Sequence, residues 1–243
     1  MKVCSVNLCP GSNHNVDRKI ERNIQNERAL ALHKLCLQLD APNEEFYRLF
    51  DQLRSSNITK NPQQEIAVAP GGVIGDRHYS APIIQNVDDN FYKLTPQRQI
   101  SVLSKERYCE LNKLNGKNIQ AGQYGENIQT EGLISMELMS KGTILQFGDT
   151  AQIEVTFLRT FCYKFAMVLR PDPLEYFYHR KTSANPLIRR IGITGQVIKS
   201  GFIKPNDSIT VIYTPADHVS LEYFDPMVDG VAIIAPYDPL TTT

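Results

Sequence analysis

At Asn61-Pro62 the periodicity of this sequence changes, and that change limits the folds open to it. Before it, Ile20, Ile24, Ala31, Leu35 and Leu39 sit near helical spacing, and residues 29–39 are rich in helix formers. Asp40-Ala-Pro42 ends that run, and Asn43 can cap a second helix. In it, Phe46, Leu49, Phe50 and Leu53 form one apolar stripe. Beyond Pro62 the texture is that of short strands, at residues 65–69, 98–103, 143–147, 152–157, 195–198, 208–213 and 231–235. Ile153, Val155 and Phe157 alternate with Gln152, Glu154 and Thr156, the mark of a half-buried strand, and Gly148-Asp149 turns the chain just before it. Ser104 can cap a helix carrying Tyr108, Leu111 and Leu114 that stops at Asn115-Gly116. Residues 171–180 suit another short helix. The pattern predicts a mainly β protein with helices. Its core is expected to be barrel-like over residues 62–213, with a helical N-terminal appendage (1–61) packed on it and an acidic tail (214–243).

Charge and cysteine usage exclude several classes. Twenty-six basic residues balance 26 acidic ones, so an overall electrostatic grip on nucleic acid is not expected. No apolar run approaches the roughly 20 residues of a spanning helix, and the N-terminus lacks the pattern of a signal peptide. Five cysteines at irregular spacing predict free thiols in a reducing compartment, hence a cytoplasmic protein. The neutral total conceals an uneven distribution. Residues 159–199 hold Arg159, Lys164, Arg170, Arg180, Lys181, Arg189, Arg190 and Lys199 against Asp172 and Glu175, a local excess suited to a small anion.

Three stretches carry chemistry. Gly71-Gly-Val-Ile-Gly75-Asp-Arg-His78 delivers three polar side chains at a glycine-rich turn, without the Gly-Lys-Ser/Thr of a phosphate loop. Gln123-Tyr-Gly125-Glu-Asn127 again sets a glycine before an acid and an amide. Arg159-Thr-Phe-Cys162-Tyr-Lys164 places a thiol between two cations, which favours the thiolate as nucleophile or soft-metal ligand.

The order and content of these stretches resemble the MOSC domain family, the C-terminal module of molybdenum cofactor sulfurases that also occurs as stand-alone bacterial proteins of the YiiM kind. The likeness covers residues 69–213. It takes in Gly75-Asp-Arg-His78, Arg98-Gln-Ile-Ser-Val-Leu-Ser-Lys-Glu106, Gly125-Glu-Asn-Ile128, Lys141-Gly-Thr-Ile-Leu-Gln-Phe-Gly148, the Cys162 segment and Arg190-Ile-Gly-Ile-Thr-Gly195. Phe161 stands where many members have proline. The His-Gly-Gly-Pro-Asp segment of the YiiM branch is missing, which argues against reduction of N-hydroxylated compounds as in that branch.

The resemblance implies a β-barrel that binds molybdenum cofactor, or carries its sulfur, through Cys162 as catalytic residue and metal ligand. Arg77, His78, Asn127, Arg159, Lys164, Arg189 and Arg190 are then the expected cofactor contacts. The activity implied is a molybdenum-linked oxidoreductase or sulfurtransferase. The chain has no room for the pyridoxal-phosphate desulfurase domain of the sulfurases. Cys4 and Cys9 match the first interval of a plant-type iron–sulfur motif, but Ser12 occupies the place of the third cysteine. Sulfur or electrons would therefore come from a separate donor protein. Two other classes stand beside this one. The first is a non-catalytic carrier of the cofactor or another small anion that docks a partner enzyme. The second is a thiol hydrolase pairing Cys162 with His78, His179 or His218.

Overall fold

The computed structural model describes residues 1–9, 59–80, 83–87, 90–95, 97–159, 191–221 and 232–237. Its strands are β1 (Lys2–Leu8), β2 (Asn61–Gln63), β3 (Ile66–Ala69), β4 (Gly72–Val73), β5 (Ile83–Val87), β6 (Asn90–Thr95) and β7 (Ile100–Ser104), followed by helix α1 (Lys105–Asn115). Then come β8 (Ile128–Glu131), a 3-10 turn (Met136–Leu138), β9 (Ile144–Phe147), β10 (Ala151–Leu158), β11 (Ile193–Lys199), β12 (Gly201–Ile203), β13 (Ile209–Tyr213) and β14 (Ala232–Tyr237). The main sheet runs β13-β9-β10-β11-β7-β8-β1-β2, and two three-stranded sheets, β12-β3-β4 and β14-β6-β5, accompany it.

The mainly β character is as the sequence predicts, and every strand expected from its pattern has a counterpart. Two expectations need correction. The main sheet is not closed by a continuous ladder into a barrel. Among the described residues its two ends touch only at the Lys2–Ser208 bridge and at neighbouring bonds, such as Val3 N to Asp207 O at 2.9 Å. Nor is the N-terminus a helical appendage: β1 lies inside the main sheet, antiparallel to β8 on one side and to β2 on the other. The helices expected between Ile20 and Leu53 and over residues 171–180 fall outside the described residues.

Local chemistry explains the helix that was anticipated. Ser104 Oγ accepts from Arg107 N at its start, and Gly116 ends it at φ 59° with its N–H bonded to Asn112 O. The helix forms the crossover that the parallel β7–β8 pair requires, so residues 116–127 return across the sheet before β8. In β10 the alternation holds at first, with Ile153 and Val155 buried between half-buried Gln152 and Glu154. From Thr156 both faces are covered, and its hydroxyl donates to Gln97 O at 2.9 Å.

The core is shared by the main sheet and the β12-β3-β4 sheet, from which Ile66, Val68, Val73 and Ile203 join Val3, Val155 and Val197. Across the main sheet the register Leu158–Ile193–Val102–Ile128–Val6 forms one transverse row of buried apolar side chains. Adjacent strand residues face opposite ways, so Ser101 and Asn7 present polar groups on the other side of that row. Asn127 and Arg159 are likewise sequence neighbours of row members. Polar residues from four distant segments are thereby set side by side.

Candidate functional site

Asp76 is the centre of this polar cluster. It sits in the turn after β4; in the turn before β4, Gly71 adopts φ +113° and a Cβ there would lie 2.3 Å from Ser80 O, so only glycine fits. The Asp76 Oδ2 atom accepts from Lys60 Nζ at 2.8 Å, from Cys9 N at 3.1 Å and from Asn127 Nδ2 at 3.4 Å. Its Oδ1 atom accepts from the His78 amide at 2.9 Å and faces His78 Nδ1 at 3.1 Å. Burial alone would raise this carboxyl. The bonds from His78 and the charge and bond of Lys60 outweigh it and hold the group below the usual carboxylate range. For Lys60 the balance differs: burial lowers the ammonium, and Asp76 offsets only part of that. With a 2.8 Å contact and so many donors on Asp76, the pair is ionised.

The partners of Asp76 come from strand ends. Cys9 follows β1, Lys60 precedes β2 and Asn127 precedes β8, and the antiparallel pairings put these three termini together. Asn127 is locked to β7: its amide donates to Ser101 O at 2.9 Å, and its Oδ1 accepts from Ser101 Oγ at 3.1 Å. The side-chain amide is thereby turned with Nδ2 toward Asp76.

Arg159 enters from the end of β10. Its amide donates to Gly192 O at 2.9 Å, and its guanidinium Nη2 donates to Tyr124 O. It is buried, and its charge reaches both Lys60 and Glu126. Glu126 is fully buried and accepts from Gly122 N at 2.6 Å. Burial pushes this carboxyl up, against hydrogen bonding by Tyr108 and Gly122 and the charge of Arg159. Gly122 has φ +82°, and a Cβ there would stand 2.2 Å from Lys60 O, so the loop touches the lysine backbone directly. Arg159 and Arg77 lie within reach of the charge on Lys60, so three cations gather here around the carboxyls of Asp76 and Glu126.

The expected site residues thus divide. Asn127 and Asp76, from two of the three stretches singled out in the sequence, meet directly, and Arg159 of the third joins them through Tyr124 O. His78 is joined to Asp76, but its side chain is exposed, as is Arg77, whose amide donates to Cys9 O. Cys162, Lys164, Arg189 and Arg190 lie outside the described residues. Sequence reasoning missed Lys60, which reads as part of a linker, and the supporting pair Tyr108 and Glu126. Lys60 has no local signature, although its place immediately before a strand-starting Asn61-Pro62 was available. Among the described residues no group of three or more His, Cys, Asp or Glu could hold a metal ion, and Cys4, Cys9 and Cys109 are free thiols. No described helix is long and apolar enough to cross a membrane.

Residues 89–210 match the family model of the MOSC domain, half of the chain. Among solved structures the chain is similar to the YuaD protein from Bacillus subtilis at 19% identity, covering 64% of this chain and 88% of that chain, with a TM-score of 0.48. It is similar to YiiM from Geobacillus stearothermophilus at 19% identity, covering 68% and 69%, with a TM-score of 0.48. YiiM from Escherichia coli is similar at 19% identity, covering 66% and 68%, with a TM-score of 0.47. No curated protein matches the chain.

Proposed function

The chain belongs to the MOSC domain family, a family often associated with molybdenum cofactor, and on that premise we propose that it binds this cofactor or carries its sulfur through Cys162. The observation that carries the reading is the buried cation pair. Lys60 and Arg159 are both buried and lie within reach of each other's charge, with Asp76 bonded to Lys60 and Glu126 within reach of Arg159. Two cations gathered at one place are the kind of donors that a phosphate-bearing ligand takes.

The donor set fits the pterin phosphate. Arg159 and Lys60 would hold the anion, the Asn127 amide would hydrogen-bond beside them, and Arg77 would add charge from the exposed side. Lys164, Arg189 and Arg190 would extend the cationic wall. Cys162, three residues beyond Arg159, would supply the thiolate as metal ligand or persulfide carrier. When bound, the cofactor supplies two-electron chemistry at molybdenum. The protein's own part is to bind the phosphate, orient it through Arg159 and Asn127, and keep the thiolate ionised with nearby positive charge. A separate protein would deliver sulfur or electrons, in keeping with a molybdenum-linked oxidoreductase or sulfurtransferase.

The experiment is paired. Protein purified from a cofactor-competent host is analysed for molybdenum, pterin and thermal stability as wild type, Cys162→Ser and Cys109→Ser. Cys162→Ser should fold normally yet lose molybdenum retention or sulfur transfer, because a neutral hydroxyl is a poor soft-metal ligand and cannot form a persulfide. Cys109→Ser, at an exposed position on α1, should match wild type. Full retention by Cys162→Ser, or an equal loss in Cys109→Ser, overturns the reading.

A further inference from the structure

The hydrogen bonds of Asp76 fix which nitrogen of the His78 ring carries the proton. Five donor positions converge on this carboxylate: Lys60 Nζ, Cys9 N and Asn127 Nδ2 on one oxygen, the His78 amide and ring Nδ1 on the other. A proton on either oxygen would point at a donor, so the carboxylate is an acceptor only. Nδ1 must then be the N–H of the pair. In the neutral ring that leaves the lone pair on Nε2. The two side chains also differ in access to solvent: 2% of Asp76 is exposed against 61% of His78. A fully buried anion thus orients a ring whose far side is open.

We propose that Asp76 and His78 form an orienting dyad, in which His78 Nε2 is the acid–base group of this site. It takes the proton of an O–H or S–H group on a molecule bound beside Lys60 and becomes an imidazolium while Nδ1–H stays on Asp76. It then returns the proton to the departing oxygen or sulfur, or to water. No electron moves in either step. The Asp76 carboxylate lies against the ring to balance the charge gained, and it keeps its own ionisation because Lys60 stays on its other oxygen. The inference deepens the reading of the cluster as an anion-holding site and gives His78 a task other than contacting the anion.

The test is made on the full, 15N-labelled chain without added cofactor. Long-range proton–nitrogen correlation is recorded about two units above the ordinary imidazole pKa of ~6.5, with each histidine assigned by substitution. His78 should carry a slowly exchanging, deshielded proton on Nδ1 and none on Nε2. A ring protonated on Nε2, or one that averages between the two forms, overturns the proposal. A second arm uses His78→Asn, which keeps a side-chain N–H for Asp76 but has no base. The probe is p-nitrophenyl acetate, an activated ester cleaved by an accessible neutral imidazole. With unchanged thermal stability, the variant's rate should drop to the background set by the other four histidines and the five cysteines. A variant that cleaves the ester as fast as wild type overturns the proposal. Neither arm depends on molybdenum. If protein from a cofactor-competent host holds no molybdenum while His78 carries Nδ1–H and His78→Asn loses esterolysis, the cofactor reading alone fails; molybdenum retained with the proton on Nε2 sinks the dyad alone.

Discussion

Lys60 Nζ lies 2.8 Å from Asp76 Oδ2, with only 4% and 2% of the two side chains exposed. Such a pair is costly to break from one side, because the survivor keeps its charge without its counter-ion. The two sides are unequal here. Without Lys60, Asp76 still accepts from Cys9 N, His78 and Asn127. Without Asp76, Lys60 is left buried within reach of Arg159, a like charge. Asp76→Ala should therefore cost about 3–5 kcal/mol, and Lys60→Met clearly less. Urea unfolding of both variants checks the order; equal losses would show that the pair does not organise the cluster.

Stability should respond to pH in opposite senses at the two buried carboxyls. Asp76 has a folded pKa below its unfolded value, so its contribution is complete above about pH 4 and disappears as pH falls through the folded value. Glu126 is raised by burial, so its contribution is complete below the unfolded range near pH ~4.3 and is lost as pH rises through the folded value. Glu126→Gln removes that second dependence while keeping an oxygen for Gly122 N. The variant should gain stability relative to wild type as pH rises from 4 to 7 (roughly the titration range of a raised carboxyl). A difference that stays flat over this range would mean that Glu126 is not raised.

Gly122 and Gly116 both have positive φ but differ in what surrounds them. A Cβ at Gly122 would meet Lys60 O at 2.2 Å, whereas at Gly116 nothing lies within 4 Å. Gly116→Ala should cost only the backbone term, roughly 1 kcal/mol. Gly122→Ala adds a clash with backbone and should cost on the order of 3 kcal/mol or more. It should also displace Lys60, visible as a changed ammonium titration by NMR. Similar losses at the two positions would refute the close approach.

Arg159 and Arg77 offer a further contrast. Arg159 is buried and donates to Tyr124 O, while Arg77 is exposed. An exposed charge is screened by solvent and contributes little. Under the cofactor reading, Arg159→Met should lower bound molybdenum and pterin far more than Arg77→Met, with loss measured per mole of folded protein. An equal effect would place the anion on the outer side.

Much of this was readable in residues whose signals are local. Ser104 and Gly116 bound α1 at the places their capping chemistry indicates, and the alternation at Ile153 and Val155 marks β10. The first strand was not readable. A register shift between Val3 and Ser5 breaks its period of two, and Asn7 is buried where an apolar residue would signal a strand. The site was legible to the same degree. Asp76, Asn127 and Arg159 fall in stretches whose residue types signal chemistry. Lys60 acquires its meaning only when β2 pairs with β1, a contact between segments that carry no mark of each other. Glu126 reads as an ordinary turn acid until Tyr108, which lies earlier in the chain on α1, is brought within hydrogen-bonding reach by the crossover.

The position of β1 inside the sheet sets an order of events during synthesis. This strand is synthesised before both of its partners, since Val6 pairs with Gln63 on one side and Ile128 on the other. Until residue 128 has emerged, β1 has at most one neighbour, and Ser101 and Asp76 wait for Asn127. Contacts so far apart in the chain form slowly and late. The nascent chain therefore carries an unfinished sheet through most of its elongation, and its chemistry switches on only after the last of these distant partners has docked.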